Sequence, residues 1–308
     1  MKNTLQTINN CAVNDPEAFI KDAENEYIGN IMSVANVISD DDDIKIVSIA
    51  GPSASGKTTT AHILCEKLEG LGEKTAVVSL DDFYLPRERL PVLSDGSRDI
   101  ESVNALDSNL MKQCFEELIQ KGKASFPKYD FATGSRVENA KIIDIGDRGI
   151  VIVEGLHALN PVITSLIPSE NLFKIYISVN LPIKENGKVL LSSRQMRLVR
   201  RSLRDEIFRG SDINDTLSLW NNVVSGERKY LYCYKDSADV QLKTLHLYEP
   251  CIFKKRFLEL RDKLSEDACC RDYFLKTAQA MEQFNDIDVN LVPHESLMRE
   301  FIGDGKYN

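Results

Sequence analysis

Residues 44–58 read IKIVSIAGPSASGKT, an apolar run from Ile44 to Ala50 followed by Gly51-Pro-Ser-Ala-Ser-Gly56-Lys57-Thr58. The run has the length of a buried strand. Beyond the loop, Ala61, Leu64, Cys65 and Leu68 mark one face of a helix that Gly70 and Gly72 end. Strand, loop and helix in this order match the pattern G-x-x-x-x-G-K-[ST]. The glycines let backbone N–H groups turn inward around a phosphate, and the helix N-terminus favours the negative charge. In such a loop Gly51, Ser53, Ala54, Ser55, Gly56 and Thr59 lie along the phosphates, Lys57 reaches the β- and γ-phosphates, and the Thr58 hydroxyl binds Mg²⁺. A Gly-Ser turn with an exposed lysine is the plain alternative, and the strand–loop–helix context argues against it.

Outward from the loop, Thr75 to Leu80, Ile150 to Val153 and Phe173 to Val179 read as further buried strands. A helix capped by Asp107 or Ser108 carries Leu110, Cys114 and Leu118 and closes at Gly122. Phe126 to Ile145, with a Gly-Ser turn signal at its centre, predicts a hairpin. Strands alternating with helices predict an α/β fold with a mostly parallel sheet. Asp15-Pro16 is a helix start, and Ile20, Ala23, Tyr27, Ile31, Val34 and Ile38 extend that helix for about six turns. The four aspartates 40–43 end it; without alternating ligand spacing or a closing Glu they read as a solvated linker rather than a calcium loop. From about residue 250 the pattern is helical. The expected organisation is a helical extension and acidic linker (1–43), a phosphate-loop domain (44–250) and a C-terminal helical extension (251–308).

The 308 residues carry 38 Lys and Arg against 47 Asp and Glu, a net charge of −9. So acidic a chain is not expected to coat nucleic acid or an anionic membrane. An anionic ligand needs a local concentration of cations. Seven cysteines, no Cys-x-x-Cys and four His encode neither a disulfide framework nor a zinc site, and Cys269-Cys270 read as two reduced thiols in a helix. No apolar run approaches the ~18 residues of a membrane span, and the start, MKNTLQTINNCAVNDPEAF, lacks the apolar core of a signal peptide. The expectation is a soluble, reducing, cytoplasmic protein with no nucleic-acid or membrane partner; a homo-oligomer is left open.

The chain lacks the Asn-Lys-x-Asp base reader of a GTPase and the Leu-Ser-Gly-Gly signature of a transporter ATPase. It does have carboxylates at the ends of strands, where ligands of open α/β sheets gather. Asp81 and Asp82 end one strand in SLDDFY, and Glu154 ends another in VIVEG. One such carboxylate alone is more simply a helix cap or a solvated group. Two at equivalent strand ends beside a phosphate loop point to chemistry. Arg194, Arg197, Arg200, Arg201, Arg204 and Arg209 concentrate cations in one segment, with Arg194, Arg197, Arg201 and Arg204 close to one helical face. Guanidinium forks stabilise the charge spread over a transferring phosphoryl group, so the segment reads as a lid over phosphates.

Five blocks, GPSASGKTT, SLDDFY, PKYDF, VIVEGLHALNP and RRSLRDEIFRG, occur in this order between about Ile44 and Tyr248. Together they resemble the uridine kinase and phosphoribulokinase group of P-loop kinases. The resemblance implies the P-loop NTPase fold: a five-stranded parallel sheet flanked by helices, a small β-hairpin over the acceptor site and an Arg-bearing lid. It implies phosphorylation of a nucleoside 5′-hydroxyl by ATP, or GTP, with Mg²⁺. On these blocks Asp81 matches the carboxylate that accepts the acceptor's proton, and Glu154 the one near Mg²⁺. Tyr84, Tyr129 and Phe131 match aromatics of the nucleoside pocket; ordinary core packing is the plain alternative for any one of them. Glu101 falls at a ribose-binding Asp, and Arg201, Arg204 and Arg209 match lid arginines that contact phosphates or acceptor.

Two positions depart from the pattern. Uridine kinases carry a base-reading His where Gly134 stands, and a further lid Arg where Ser211 follows Arg209-Gly210. The flanks, including Leu297-Met-Arg-Glu-Phe-Ile-Gly303, lie outside the minimal kinase and resemble longer bacterial uridine kinase-like proteins. The expected activity is transfer of the γ-phosphoryl of ATP to uridine or cytidine. A same-fold kinase for another hydroxyl, such as a sugar phosphate or a pantothenate-like acceptor, is the alternative. A nucleotide-binding regulator without transfer is the third reading, against which an intact Asp81 and phosphate loop speak.

Overall fold

The computed structural model describes residues 2–92, 96, 98–130, 133–146 and 148–307. Two helices open the chain, α1 (Leu5–Asn14) and α2 (Pro16–Ser39); then come β1 (Ile46–Ala50), α3 (Lys57–Gly70), β2 (Thr75–Ser79) and α4 (Ser108–Lys121). A hairpin of β3 (Lys123–Asp130) and β4 (Ser135–Asp144) follows, then β5 (Ile150–Glu154), the short α5 (Pro161–Thr164) and β6 (Leu172–Ser178). After a second hairpin, β7 (Ile183–Glu185) and β8 (Lys188–Leu191), come α6 (Ser193–Arg209), α7 (Ile213–Tyr230) and β9 (Val240–Lys243). Helices α8 (Glu249–Glu259), α9 (Arg271–Met281) and α10 (Arg299–Ile302) complete the order.

The central sheet runs β2-β5-β1-β6-β9 with every pairing parallel. Its inner strands β1 and β5 are buried at every residue, as expected of parallel strands covered on both faces. The period-two alternation divides the core. Val47, Ile49, Ile150 and Ile152 face the cluster formed with α2, α3, α6 and α8, while Ile46, Val151 and Val153 face the cluster under α4 and the β3–β4 hairpin. All C-terminal strand ends therefore meet along one edge, and the loops after β1, β2 and β5 share it. The terminal stretches are not appendages: Ile8, Ile31, Phe274 and Phe301 lie in the same cluster as α3. The hydroxyls of Tyr27 on α2 and Thr60 on α3 lie 2.7 Å apart.

Four features differ from the sequence reading. Helix α1 buries only Ile8 and Ala12, too sparse a face to register as a helical period. The β7–β8 hairpin turns at Asn186-Gly187, both with positive φ, a type of signal that was present but short. Beyond residue 250 the chain is helical only in part, because Pro and Asn-Asp steps between α9 and α10 leave turns and a single 3₁₀ turn, Val289–Leu291. Cys269-Cys270 are not inside a helix. Cys270 is the left-handed residue (φ 58°) preceding α9, and the two free thiols stand 3.7 Å apart. No helix among the described residues is long and apolar enough to cross a membrane.

Candidate active site

Strand β1 delivers the chain to Gly51 at the sheet's C-terminal edge, and α3 begins six residues later at Lys57. The backbone reverses through left-handed conformations at Ala54 (φ 57°) and Gly56 (φ 85°). At Gly56 a Cβ would also stand 2.5 Å from Leu297 Cδ1, so both torsion and space call for glycine. The loop carbonyls are held from outside. Ser53 O accepts from Arg197 Nε at 2.9 Å, Ala54 O from Arg200 Nη1 at 3.3 Å, Ser55 O from the Thr244 hydroxyl at 2.7 Å and Gly56 O from the Thr60 hydroxyl at 2.6 Å. The amides of Ala54, Gly56, Lys57, Thr58 and Thr59 find no acceptor within the chain among the described residues. Pinned carbonyls and uncommitted N–H groups at a helix N-terminus form a cradle for a polyphosphate.

The arginine segment divides into two groups. Arg197 and Arg200 face the underside of the loop. Arg200 is fully buried and gives Nε and Nη2 to the two oxygens of Glu249 at 2.8 and 2.6 Å, and Nη2 also to Thr244 O at 2.7 Å. Arg197 pairs with buried Glu227, whose carboxylate also accepts the Ser53 amide at 2.8 Å. Arg201, Arg204 and Arg209 converge instead on one buried carboxylate, Asp205, at 3.2, 3.2 and 3.4 Å. Arg201 further donates to Ser53 Oγ at 2.8 Å. Three guanidiniums on one carboxylate leave a surplus of positive charge beside the loop.

On the other side, Asp81 and Asp82 lie in the 3₁₀ turn Leu80–Phe83 after β2. Asp82 is tied to the hairpin by Lys128 Nζ at 3.1 Å and the Tyr129 amide at 3.4 Å. Asp81 makes no ion pair among the described residues and its side chain is open to solvent. Although the residue reaches solvent, the protein atoms gathered around it raise its carboxyl above the usual aspartate range and Asp82 adds to this, while Lys57 and Arg209 pull it down. Glu154 is 6% exposed and lies in register with Ser79 of β2 and Ile49 of β1. Burial pushes its pKa to about 7 against the pull of Lys57. Burial also lowers the Lys57 ammonium, with Glu154 and then Asp81 opposing. The fold thus brings Lys57, Asp81 and Glu154 into one electrostatic cluster. The exposed Thr58 hydroxyl at the start of α3 and the buried Glu154 carboxylate are hard oxygen donors, the kind Mg²⁺ takes one or two of while keeping its waters. These two residues would hold the ion, and an added cation would offset the cost of an ionised Glu154.

The rings of Tyr84 and Tyr129 pack at 5.6 Å, and the Tyr84 hydroxyl donates to Ile100 O at 3.0 Å. Glu101 is half-buried; burial raises its carboxyl, Arg201 opposes, and Glu227 and Asp81 add to the rise. Phe131 lies outside the described residues. Gly134 closes the hairpin turn with φ 67°, and a Cβ there would stand 3.0 Å from Arg87 Nε. The Ser211 amide bonds Asp205 O at 3.2 Å, just past the left-handed Gly210 that caps α6. Sequence reasoning did not single out Glu227, Thr244 or Glu249, the partners that fix the loop from below. They lie far from it in the chain, and no local pattern marks them. Glu300 was missed for the same reason: its Oε2 accepts from the Thr59 hydroxyl at 2.7 Å.

A parallel sheet ordered around a phosphate loop, with a carboxylate-lined edge and an arginine helix above it, defines a P-loop kinase. The chain belongs to the phosphoribulokinase/uridine kinase family, whose model matches residues 46–248. It is 28% identical over 180 residues to a uridine kinase of Mycoplasma genitalium, covering 58% of this chain and 75% of that one. Over 181 residues it is 28% identical to a uridine kinase of Staphylococcus aureus, covering 58% and 77%. Uridine kinase-like protein 5 of Arabidopsis thaliana is 26% identical over 182 residues, 58% of this chain but only 34% of that protein. Among solved structures, a Bacillus stearothermophilus protein described as a possible uridine kinase aligns with a TM-score of 0.44 at 18% identity, covering 65% of this chain and 88% of that one.

Proposed function

We propose that this protein transfers the γ-phosphoryl group of ATP, with Mg²⁺, to the 5′-hydroxyl of a nucleoside, uridine or cytidine first. The observation that carries this is Asp81: a carboxylate without an ion pair among the described residues and within electrostatic reach of Lys57, while its neighbour Asp82 is committed to the hairpin. A carboxylate so placed can take the acceptor's proton as the hydroxyl attacks. The Lys57 ammonium and the arginines around Asp205 would meet the charge of the migrating group. Bound Mg²⁺ would supply further neutralisation of the phosphates. Half-buried Tyr84, packed on the buried Tyr129, would offer its ring to the base, and Glu101 would meet a sugar hydroxyl. The names of the 24–28% identical relatives favour uridine, and cytoplasmic pyrimidine salvage is the role this would serve.

A second reading rests on Gly134. No side chain there can read a pyrimidine edge, and against it lies Arg87, whose side chain has no ion-pair or hydrogen-bond partner among the described residues. A free guanidinium suits an acceptor that already bears a phosphate or carboxylate. Acceptor-dependent ADP release over uridine, cytidine, adenosine, guanosine, ribulose 5-phosphate and pantothenate tests both. Turnover with uridine or cytidine supports the first reading. Turnover confined to an anionic acceptor replaces it with the second, and no acceptor dependence at all removes both.

A further inference from the structure

The C-terminal stretch is seated on the phosphate loop. Leu297, Met298 and Phe301 are fully buried, Leu297 against Gly56 and Phe301 under the Arg200 guanidinium, 5.0 Å from its ring centroid. This packing delivers Glu300 to the first turn of α3. There its carboxylate accepts from the Thr59 hydroxyl at 2.7 Å and lies 3.8 Å from Arg204 Nη1. It also acts electrostatically on Lys57 and Glu154.

An anionic group of the chain itself therefore holds a helix N-terminus, its hydroxyl and a lid arginine. These are the groups a polyphosphate would use, and two anions on the same donors repel. Helix α10 packs directly on α6, so this segment also touches the arginine helix that already bonds the loop through Arg197, Arg200 and Arg201. Thr59 is buried, at 3% exposed, so its hydroxyl needs an acceptor inside the protein, but a neutral oxygen would serve it as well as the charged one Glu300 supplies.

We propose that Glu300 is an affinity-determining residue of the nucleotide site: its carboxylate competes with the polyphosphate for Thr59 and Arg204, and the segment Leu297–Phe301 yields when nucleotide binds. The inference rests on the reading of residues 51–59 as a nucleotide site. Glu300→Gln keeps the size and the acceptor for Thr59 but removes the charge. By calorimetry it should bind Mg²⁺-ATP and inorganic tripolyphosphate more tightly than the native chain, each by about tenfold. Unchanged or weaker binding of both overturns the competition while leaving the nucleotide site in place. Tightening of ATP without tripolyphosphate also overturns it, because Glu300 would then act on the base or sugar. No binding to either chain removes the nucleotide site itself and the inference with it.

The native protein gives a second measurement that needs no variant. The amides of Glu300 and Phe301 bond to Leu297 O at 3.1 Å and Met298 O at 2.9 Å. Their hydrogen exchange should accelerate when tripolyphosphate saturates the site. Exchange that is unchanged or slower would show the segment staying seated and would overturn the proposal.

Discussion

Replacing Arg200 with methionine removes the brace beneath the phosphate loop. Arg200 and Glu249 are both 0% exposed, and Arg200 makes two bonds to that carboxylate, one to Thr244 O and one to Ala54 O. Methionine fills much of the volume but leaves Glu249 buried without a cation, a situation that costs about 3–5 kcal/mol. Against a total stability of roughly 5–15 kcal/mol this is a large fraction. With a urea m-value near 3 kcal/mol/M, the midpoint should fall by roughly 1–2 M. Trp220, the single tryptophan, is fully buried on α7 and reports unfolding by fluorescence. Removing both charges in Arg200→Met/Glu249→Met should recover most of the loss, apart from about 1 kcal/mol for the His246 amide that Glu249 accepts at 2.6 Å. A double variant no more stable than the single one would refute the reasoning, because the penalty would then not come from an uncompensated charge.

With the Glu154 pKa about 7, about three-quarters of its carboxyls are protonated at pH 6.5 and about a tenth at pH 8. Since Mg²⁺ needs the ionised form, Mg²⁺-nucleotide affinity should rise about fourfold across that range by titration calorimetry, and Glu154→Gln should flatten the dependence; a native profile no steeper than the variant's would place the ion elsewhere. Gly134→His puts a side chain at φ 67° and against Arg87, so it should lose about 1–2 kcal/mol in urea unfolding rather than restore pyrimidine choice; an unchanged midpoint would mean the turn relaxes freely. Asp205→Asn removes the charge that gathers Arg201, Arg204 and Arg209, and should lower kcat by roughly tenfold with little change in KM for ATP, the scale of losing a group that only orients others. Equal loss in both constants would make Asp205 a binding determinant instead.

The phosphate loop, the inner strands and the first β-hairpin were legible because each is written locally: a motif, an apolar run, a turn pair. Strand β9 was not, since Val240-Gln-Leu-Lys243 is a short edge strand with one buried residue. Within the arginine segment, helical spacing placed Arg194, Arg197, Arg201 and Arg204 together, yet the fold assigns Arg197 downward to the loop and Arg204 to Asp205. The partners of Arg197 and Arg200, Glu227 and Glu249, are separated from them by 30 and 49 residues, and only tertiary packing selects them. The C-terminal stretch read as a helical extension. Its Glu300 reaches the loop across 241 residues from Thr59, a contact no sequence periodicity encodes.

In the proposed reaction Asp81 takes the proton of an acceptor hydroxyl as the γ-phosphoryl moves across the loop. Single-turnover transfer of labelled phosphate from γ-labelled ATP to uridine, in the native chain and in Asp81→Asn, tests it most directly. The native chain should yield labelled uridine 5′-monophosphate, and the variant should do so at a rate lower by about 10²- to 10⁴-fold with ATP affinity retained. Label released only as inorganic phosphate, or transfer by Asp81→Asn at the native rate, would contradict it.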